Sequence, residues 1–78
     1  MITLEQACSL YCIKYPTRQV ENVLDVGDEW VISGKDADTG MEIDVAPVAF
    51  RKEDGAARVF FPPANRMKLK NAKIVFKG

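Results

Sequence analysis

The chain has 78 residues, of which 47% are hydrophobic and 28% charged, a composition typical of one soluble globular domain and wrong for a disordered chain. No apolar run approaches the roughly 20 residues that cross a bilayer, and the first residues do not form a secretory signal, so we expect a cytoplasmic protein without a membrane role. The formal net charge is zero, yet residues 1–55 carry −6 and residues 56–78 carry +6.

The first predicted element is a helix over residues 4–14. Thr3 and Gln6 have the spacing of a capping box, in which each side chain bonds to the backbone of the other residue. Apolar residues then recur at helical spacing as one stripe: Leu4, Ala7, Cys8, Tyr11, Cys12 and Tyr15. Pro16 ends the pattern because proline disfavours helical geometry in the residue before it. We interpret the two cysteines of the stripe as small buried apolar residues.

After the helix the pattern changes to the alternation of strands. Residues 20–26 and 29–34 are predicted to form a hairpin around the turn Gly27-Asp28. A loop rich in turn formers follows at residues 35–40.

The next predicted strand is half-buried, with Met41, Ile43 and Val45 alternating with acids. Pro47 cannot donate to a strand ladder, which predicts an edge position or a bulge there.

The strand is expected to resume over residues 48–50, to turn at 52–55 and to continue as a further strand at 58–61. In the tail, residues 65–71 fit one short helical turn and residues 73–76 a last strand. The sequence pattern leaves the structure of the tail open.

One helix followed by four or five strands with short connections predicts an α+β domain. Its N-terminal helix packs on a 4–5-stranded antiparallel meander sheet, because parallel pairing needs long crossovers. The helix should cover one face of that sheet. The candidates for the positions beneath it are Trp30, Ile32, Met41, Ile43, Phe50 and Phe60. Which of Phe60 and Phe61 points inward stays open, because adjacent strand residues take opposite faces.

No catalytic or metal-binding pattern is recognisable. The chain has no histidine, no phosphate-binding loop, no dinucleotide fingerprint and no nucleophile elbow. Asp36-Ala37-Asp38 begins like a calcium loop, but Met41 stands where glycine is needed and Pro47 where the bidentate glutamate belongs. We therefore predict a non-enzymatic protein without a cofactor or a bound metal.

The acidic half supplies the predicted partner-binding surface. The candidate residues lie in and beside the predicted hairpins: Asp25, Asp28, Glu29, Asp36, Asp38, Glu42 and Asp44. A surface of this sign favours a basic protein partner. The same acids would repel phosphate, which argues against a nucleic-acid partner.

Two alternatives stay open. In the first, the chain is a self-associating structural domain, for example a homodimer in which the acidic hairpins meet the basic tail of a second copy or an open sheet edge pairs. The basic tail can also lie over the acidic hairpins of its own fold. In the second alternative, helix and sheet enclose a pocket for a small ligand near Tyr11, Tyr15 and Trp30.

Four segments together suggest a resemblance: the helix at 7–15, the hairpin at 27–32, the strand and turn at 46–55, and Phe61-Pro62-Pro63 leading into 65–75. Their order is similar to that of small bacterial helix-plus-antiparallel-sheet proteins, which include toxin-immunity proteins of polymorphic toxin systems. More distantly it resembles cystatin-like and PepSY-like domains. The resemblance implies a non-catalytic binding module whose acidic surface binds a basic toxin.

Overall fold

Across residues 1–43 and 45–77, which the computed structural model describes, an N-terminal helix and a five-stranded antiparallel sheet make an α+β fold. The elements in chain order are α1 (Leu4–Lys14), β1 (Arg18–Asp25), β2 (Glu29–Asp36), β3 (Val48–Arg51), β4 (Ala57–Val59), a 3-10 turn (Pro62–Asn65), α2 (Arg66–Lys70) and β5 (Lys73–Lys77). The predicted class is confirmed, and the tail forms the helical turn and the last strand that its pattern indicated.

Helix α1 begins and ends at the residues that the sequence predicts. The Gln6 backbone N–H donates to Thr3 Oγ1 at 3.2 Å, and the Thr3 N–H donates to Gln6 Oε1 at 2.8 Å, which is the predicted capping box. Lys14 is the last helical residue before Tyr15 and Pro16. Of the two cysteines, Cys8 is partly buried against the core whereas Cys12 is exposed, so the prediction of burial is wrong for Cys12.

The strand order is β4-β3-β2-β1-β5. The first four strands form the predicted meander, but β5 returns to pair with β1 at the opposite edge from β4. The connection between these edges runs through the 3-10 turn and α2. It lies over the sheet face opposite α1, because Leu69 of α2 packs there against Val31, Ala49 and Phe60. The sheet is therefore covered on both faces.

The two faces of the sheet bury different amounts of apolar surface. The α1 face has the larger cluster of buried residues: Ala7, Tyr11, Val20, Val23, Ile32, Val48 and Phe50. The α2 face has a smaller cluster: Val31, Ala49 and Phe60, with Leu24, Val26 and Leu69 beside it. Gly34 lies directly under the Tyr11 ring, where a Cβ would collide with the tyrosine hydroxyl. That close approach fixes how α1 sits on the sheet.

The predicted position of Phe60 beneath α1 is wrong. Phe60 is 1% exposed, but it belongs to the cluster on the α2 face, while Phe61 is 60% exposed. Strand β4 has already ended at Val59, and the Phe60 N–H donates to the Pro47 carbonyl at 2.8 Å. Val59 pairs with Val48 of the α1 face, so the alternation of side chains places Phe60 on the opposite face, toward α2.

The predicted half-buried strand around Met41, Ile43 and Val45 is also wrong. Among the described residues this segment makes one isolated bridge, Lys35 to Glu42, and Met41 and Val45 are 68% and 49% exposed. Met41 is therefore not beneath α1. The physical reason is that the pairing of β3 with β2 begins at Val48, opposite Ile32, so Met41 and Val45 lie outside that ladder.

Candidate functional site

The β1–β2 hairpin separates the seven candidate acids into two groups. Asp25, Asp28 and Glu29 lie at the turn between the strands, whereas Asp36, Asp38 and Glu42 lie at or beyond the far end of β2. Asp44 lies outside the described residues. Strand β2 has eight residues, so roughly 23 Å of extended chain separates its two ends. The candidate acids therefore do not form one continuous surface.

Glu29 is the centre of an ion-pair network at the turn. Its side chain is 5% exposed and accepts a bidentate pair from Arg58, with Nε and Nη2 each 2.7 Å from a carboxylate oxygen. Lys68 Nζ lies 2.6 Å from Oε1 of the same carboxylate. Hydrogen bonds from Arg58, and then from Lys68, lower the pKa of Glu29 in spite of its burial. This carboxylate is charged at neutral pH, and cations of the same chain bind both of its oxygens.

The other two acids at the turn are paired as well. Lys68 Nζ lies 3.0 Å from an oxygen of Asp28, and Lys52 Nζ lies 2.8 Å from Asp25. The bond from Lys52 is the main cause of the lowered pKa of Asp25. We name these residues the turn-end cluster: Asp25, Asp28, Glu29, Lys52, Arg58 and Lys68. Three carboxylates meet three cations, so the cluster carries no net formal charge.

The predicted site consists of acidic residues alone, and it omits the basic residues that bind them in this cluster. Arg58 and Lys68 are 29 and 39 residues away from Glu29 in the chain. The one sequence signal for them is the segregation of charge into an acidic half and a basic tail. The contacts of Lys68 show that α2, one part of this tail, lies beside the acidic β1–β2 turn of its own fold.

The acids at the far end of β2 have a different environment. The Asp36 carboxylate accepts the backbone N–H groups of Asp38 at 2.9 Å and Thr39 at 3.1 Å, and these bonds lower its pKa. Asp36 therefore shapes the loop. Asp38 and Glu42 are exposed, and neither makes an ion pair within residues 1–43 and 45–77.

Large apolar side chains accompany these two acids. Met41 and Val45 are exposed in the same loop, and the Asp36 N–H donates to the Met41 carbonyl at 2.9 Å, which holds the base of the loop together. We name Asp38, Met41, Glu42 and Val45 the acidic loop. Protein interfaces have an apolar core surrounded by a polar rim, and methionine adapts its shape to a partner surface.

Two clefts lie elsewhere on the surface. A cleft of about 510 Å³ lies between α1 and the β3–β4 turn, with Ile2, Leu10 and Asp54 among its lining residues. A cleft of about 290 Å³ adjoins the turn-end cluster and is lined in part by Arg51 and Ala57. Neither of these clefts is lined by the aromatic residues of the predicted ligand pocket.

The three aromatic residues of the predicted ligand pocket instead contact other residues of the fold. Tyr11 is 1% exposed and stacks edge-on against Phe50 with ring centres 6.4 Å apart. Trp30 Nε1 donates to the Ile2 carbonyl at 3.2 Å. The Arg18 guanidinium lies 4.1 Å from the centre of the Tyr15 ring. These contacts tie α1 and the preceding residues to the sheet.

The part of the chain that the structure describes contains no cluster of three or more histidine, cysteine, aspartate or glutamate residues arranged to hold a metal ion. None of its helices has the length and apolar character needed to cross a membrane. Comparison with models of protein families, with curated proteins and with solved structures finds no match to this chain. The resemblance to immunity-type proteins therefore stays a prediction.

Proposed function

We propose that this chain is a small non-catalytic module that binds a basic protein partner through its acidic loop. The observation that carries the proposal is the contrast between the two groups of acids. The turn-end acids are occupied by internal cations, while Asp38 and Glu42 are exposed beside exposed Met41 and Val45. Among the described candidate acids, Asp38 and Glu42, which have neither an internal cation nor the backbone donors that Asp36 binds, thus both lie beyond the far end of β2.

The failure of the strand prediction supports the same assignment. An alternating segment of this composition normally buries its apolar positions, yet Met41 and Val45 face solvent. Positions at which local sequence preference and the fold disagree are often functional, because the cost in stability is retained for another purpose. Binding would bury these apolar side chains, and the acids beside them would select a basic partner and speed its association.

We also propose that the module acts in the cytoplasm. Its two cysteines, Cys8 and Cys12, are free thiols, which suits a reducing compartment. In the immunity-type form of the proposal, which the sequence resemblance implies, the basic partner is a toxin that the module neutralises.

The test compares two variants that remove the same charge. The loop variant is Asp38→Asn with Glu42→Gln, and the control variant is Glu5→Gln with Glu53→Gln, two exposed acids away from the loop. The wild-type chain is immobilised, basic proteins retained from an extract of the source cells are purified, and affinity for each is measured calorimetrically with wild type and both variants. Circular dichroism checks that all three proteins are folded.

We expect the loop variant to bind at least about tenfold more weakly, with the control within about twofold of wild type, because only the loop acids contact the partner. Affinity should also fall as salt rises from about 0.05 to 0.5 M. Equal affinity of the loop variant and wild type would contradict the proposal. So would light scattering that shows a salt-sensitive homodimer, lost in the loop variant, as the only complex formed.

A further inference from the structure

Strand β5 leaves one edge of the sheet open among the described residues. It pairs with β1 on one side and stands last in the strand order on the other. All residues from Lys73 to Lys77 are exposed, including Ile74 at 66%, Val75 at 40% and Phe76 at 41%. An edge with unpaired backbone groups and apolar side chains is a template for pairing with another extended chain.

The apolar side chains of this edge point to both faces of the sheet. Phe76 is paired with Val23, which belongs to the core on the α1 face, whereas Ile74 is paired with Leu24, which packs on the α2 face. The register shifts at Val75, which has no partner on β1. A strand added outside β5 would therefore cover apolar surface on both faces.

The charge of the edge is positive throughout. Lys73 and Lys77 stand at its two ends, and no acid follows Asp54 in the chain. Lys73 lies opposite Asp25, but the Asp25 carboxylate is already bound by Lys52 at 2.8 Å. Within the described residues neither terminal lysine of β5 makes an ion pair. The charge that complements this edge is negative.

A second copy of β5 does not supply that charge. Antiparallel pairing of two β5 strands about Val75 would bring Lys73 of each copy close to Lys77 of the other at both ends, and like charges brought close together destabilise a strand pair. The same lysines would form ion pairs with an acidic strand. The lysines of β5 therefore disfavour pairing with a second copy of β5 and favour pairing with an acidic chain.

We propose that the outer edge of β5 binds an extended segment of another protein as a sixth strand. The segment has an apolar centre that covers Ile74 and Phe76 and an acidic residue toward each end. The partners of these lysines on β1, Asp25 and Asn22, are three positions apart and lie on opposite faces, so acids three positions apart in a regular extended chain, a distance of about 10 Å, reach both. This surface shares no residue with the acidic loop, and the inference stands independently of the function proposed for that loop.

The test uses the intact protein and the peptide acetyl-Thr-Glu-Val-Val-Glu-Thr-amide, whose glutamates are three positions apart and whose adjacent valines lie on opposite faces. Binding is followed by changes in the amide NMR spectrum of the protein. We expect saturable shifts centred on residues 73–77. The double variant Lys73→Glu, Lys77→Glu should bind the peptide about tenfold or more weakly and should regain affinity for a peptide with lysine in place of both glutamates. The control Lys14→Glu, Lys35→Glu, which changes net charge equally, should stay within about twofold of wild type.

Peptides with methylated backbone nitrogens test strand addition itself. Alternate N–H groups of an extended chain point to opposite edges, so methylation at the second and fourth positions and methylation at the third block different edges. We expect one pattern to abolish binding and the other to preserve it. Equal tolerance of both patterns would overturn the proposal, as would unchanged affinity in the Lys73→Glu, Lys77→Glu variant. Shifts centred away from β5, or a wild-type dimer by light scattering that the same variant strengthens or leaves intact, would also overturn it.

Discussion

Acidic residues lie at both ends of the β1–β2 hairpin, but within the described part of the chain they have internal ion-pair partners at one end and none at the other. At the turn, three carboxylates form ion pairs with Lys52, Arg58 and Lys68, and one of them, Glu29, is buried. At the far end, Asp38 and Glu42 face solvent beside exposed apolar side chains. The sign of the charge on a surface therefore cannot be read from the positions of acids alone. It depends on which cations the topology brings back to them.

The turn-end cluster also stabilises the less apolar face of the sheet. The buried cluster under α2 is the smaller of the two, and α2 has only five residues. Lys68 of α2 and Arg58 of β4 both bind Glu29, so ion pairs hold the β4–α2 segment against the β1–β2 turn. Disturbing the cluster should loosen this segment before it loosens α1.

The largest effect should follow from Arg58→Met. This change leaves the buried Glu29 carboxylate with Lys68 as its one cation in the described structure, and a buried charge that loses a partner is costly. We expect a loss of about 2–4 kcal/mol in the free energy of unfolding, measured by urea titration. A loss below about 0.5 kcal/mol would show that the pair contributes no more than an ordinary surface ion pair.

The pH dependence of stability should show the contribution of the Glu29 carboxylate. The pKa of Glu29 is lowered in the folded protein, so its contribution to stability is complete above the unfolded pKa of about 4.3 and is lost as pH falls toward the folded pKa. Wild type should therefore lose urea stability more steeply below about pH 5 than the Glu29→Gln variant does. Parallel pH dependence of the two proteins would mean that Glu29 is not held in its charged form by Arg58 and Lys68.

Lys68→Met should have a smaller effect than the change at Arg58. Lys68 contacts both Asp28 and Glu29, but it is about one-third exposed, and Arg58 still neutralises Glu29 in the variant. We expect a loss of about 1–2 kcal/mol. Hydrogen exchange should show the loss of protection concentrated in residues 62–70, with α1 unchanged. A uniform loss across both faces would contradict a local role.

The smallest effect on stability should come from the acidic loop. Asp38→Asn with Glu42→Gln removes two exposed charges that have no ion-pair partner among the described residues, so the free energy of unfolding should stay within about 0.5 kcal/mol of wild type. Asp36→Ala should affect the loop more, because two backbone N–H groups lose their acceptor. Larger losses from Asp38 and Glu42 would indicate internal partners and would remove the basis for the proposed binding site.

Features with a local cause could be predicted from the sequence. The capping box of Thr3 and Gln6 and the stop at Pro16 act within a few residues, and they predict α1 at its observed bounds. The Gly27 turn likewise predicts the β1–β2 hairpin, with glycine at a positive φ of 106°.

Features with a distant cause could not be predicted. Whether the alternating segment at Met41 becomes a strand depends on where β3 aligns with β2, and whether Glu29 is exposed depends on residues 29 and 39 positions later. The sequence pattern therefore predicts the acids of the candidate site but not which of them remain open.

The most direct measurement compares two identical chemical changes at the two ends, Glu29→Gln and Glu42→Gln, in one set of urea titrations at neutral pH and low salt. Urea is uncharged, so it leaves the ion pairs unscreened. We expect the free energy of unfolding to fall by about 2–3 kcal/mol for Glu29→Gln and to change by less than about 0.5 kcal/mol for Glu42→Gln. Equal changes in the two variants would contradict the division of the acids into a structural turn and an open binding loop.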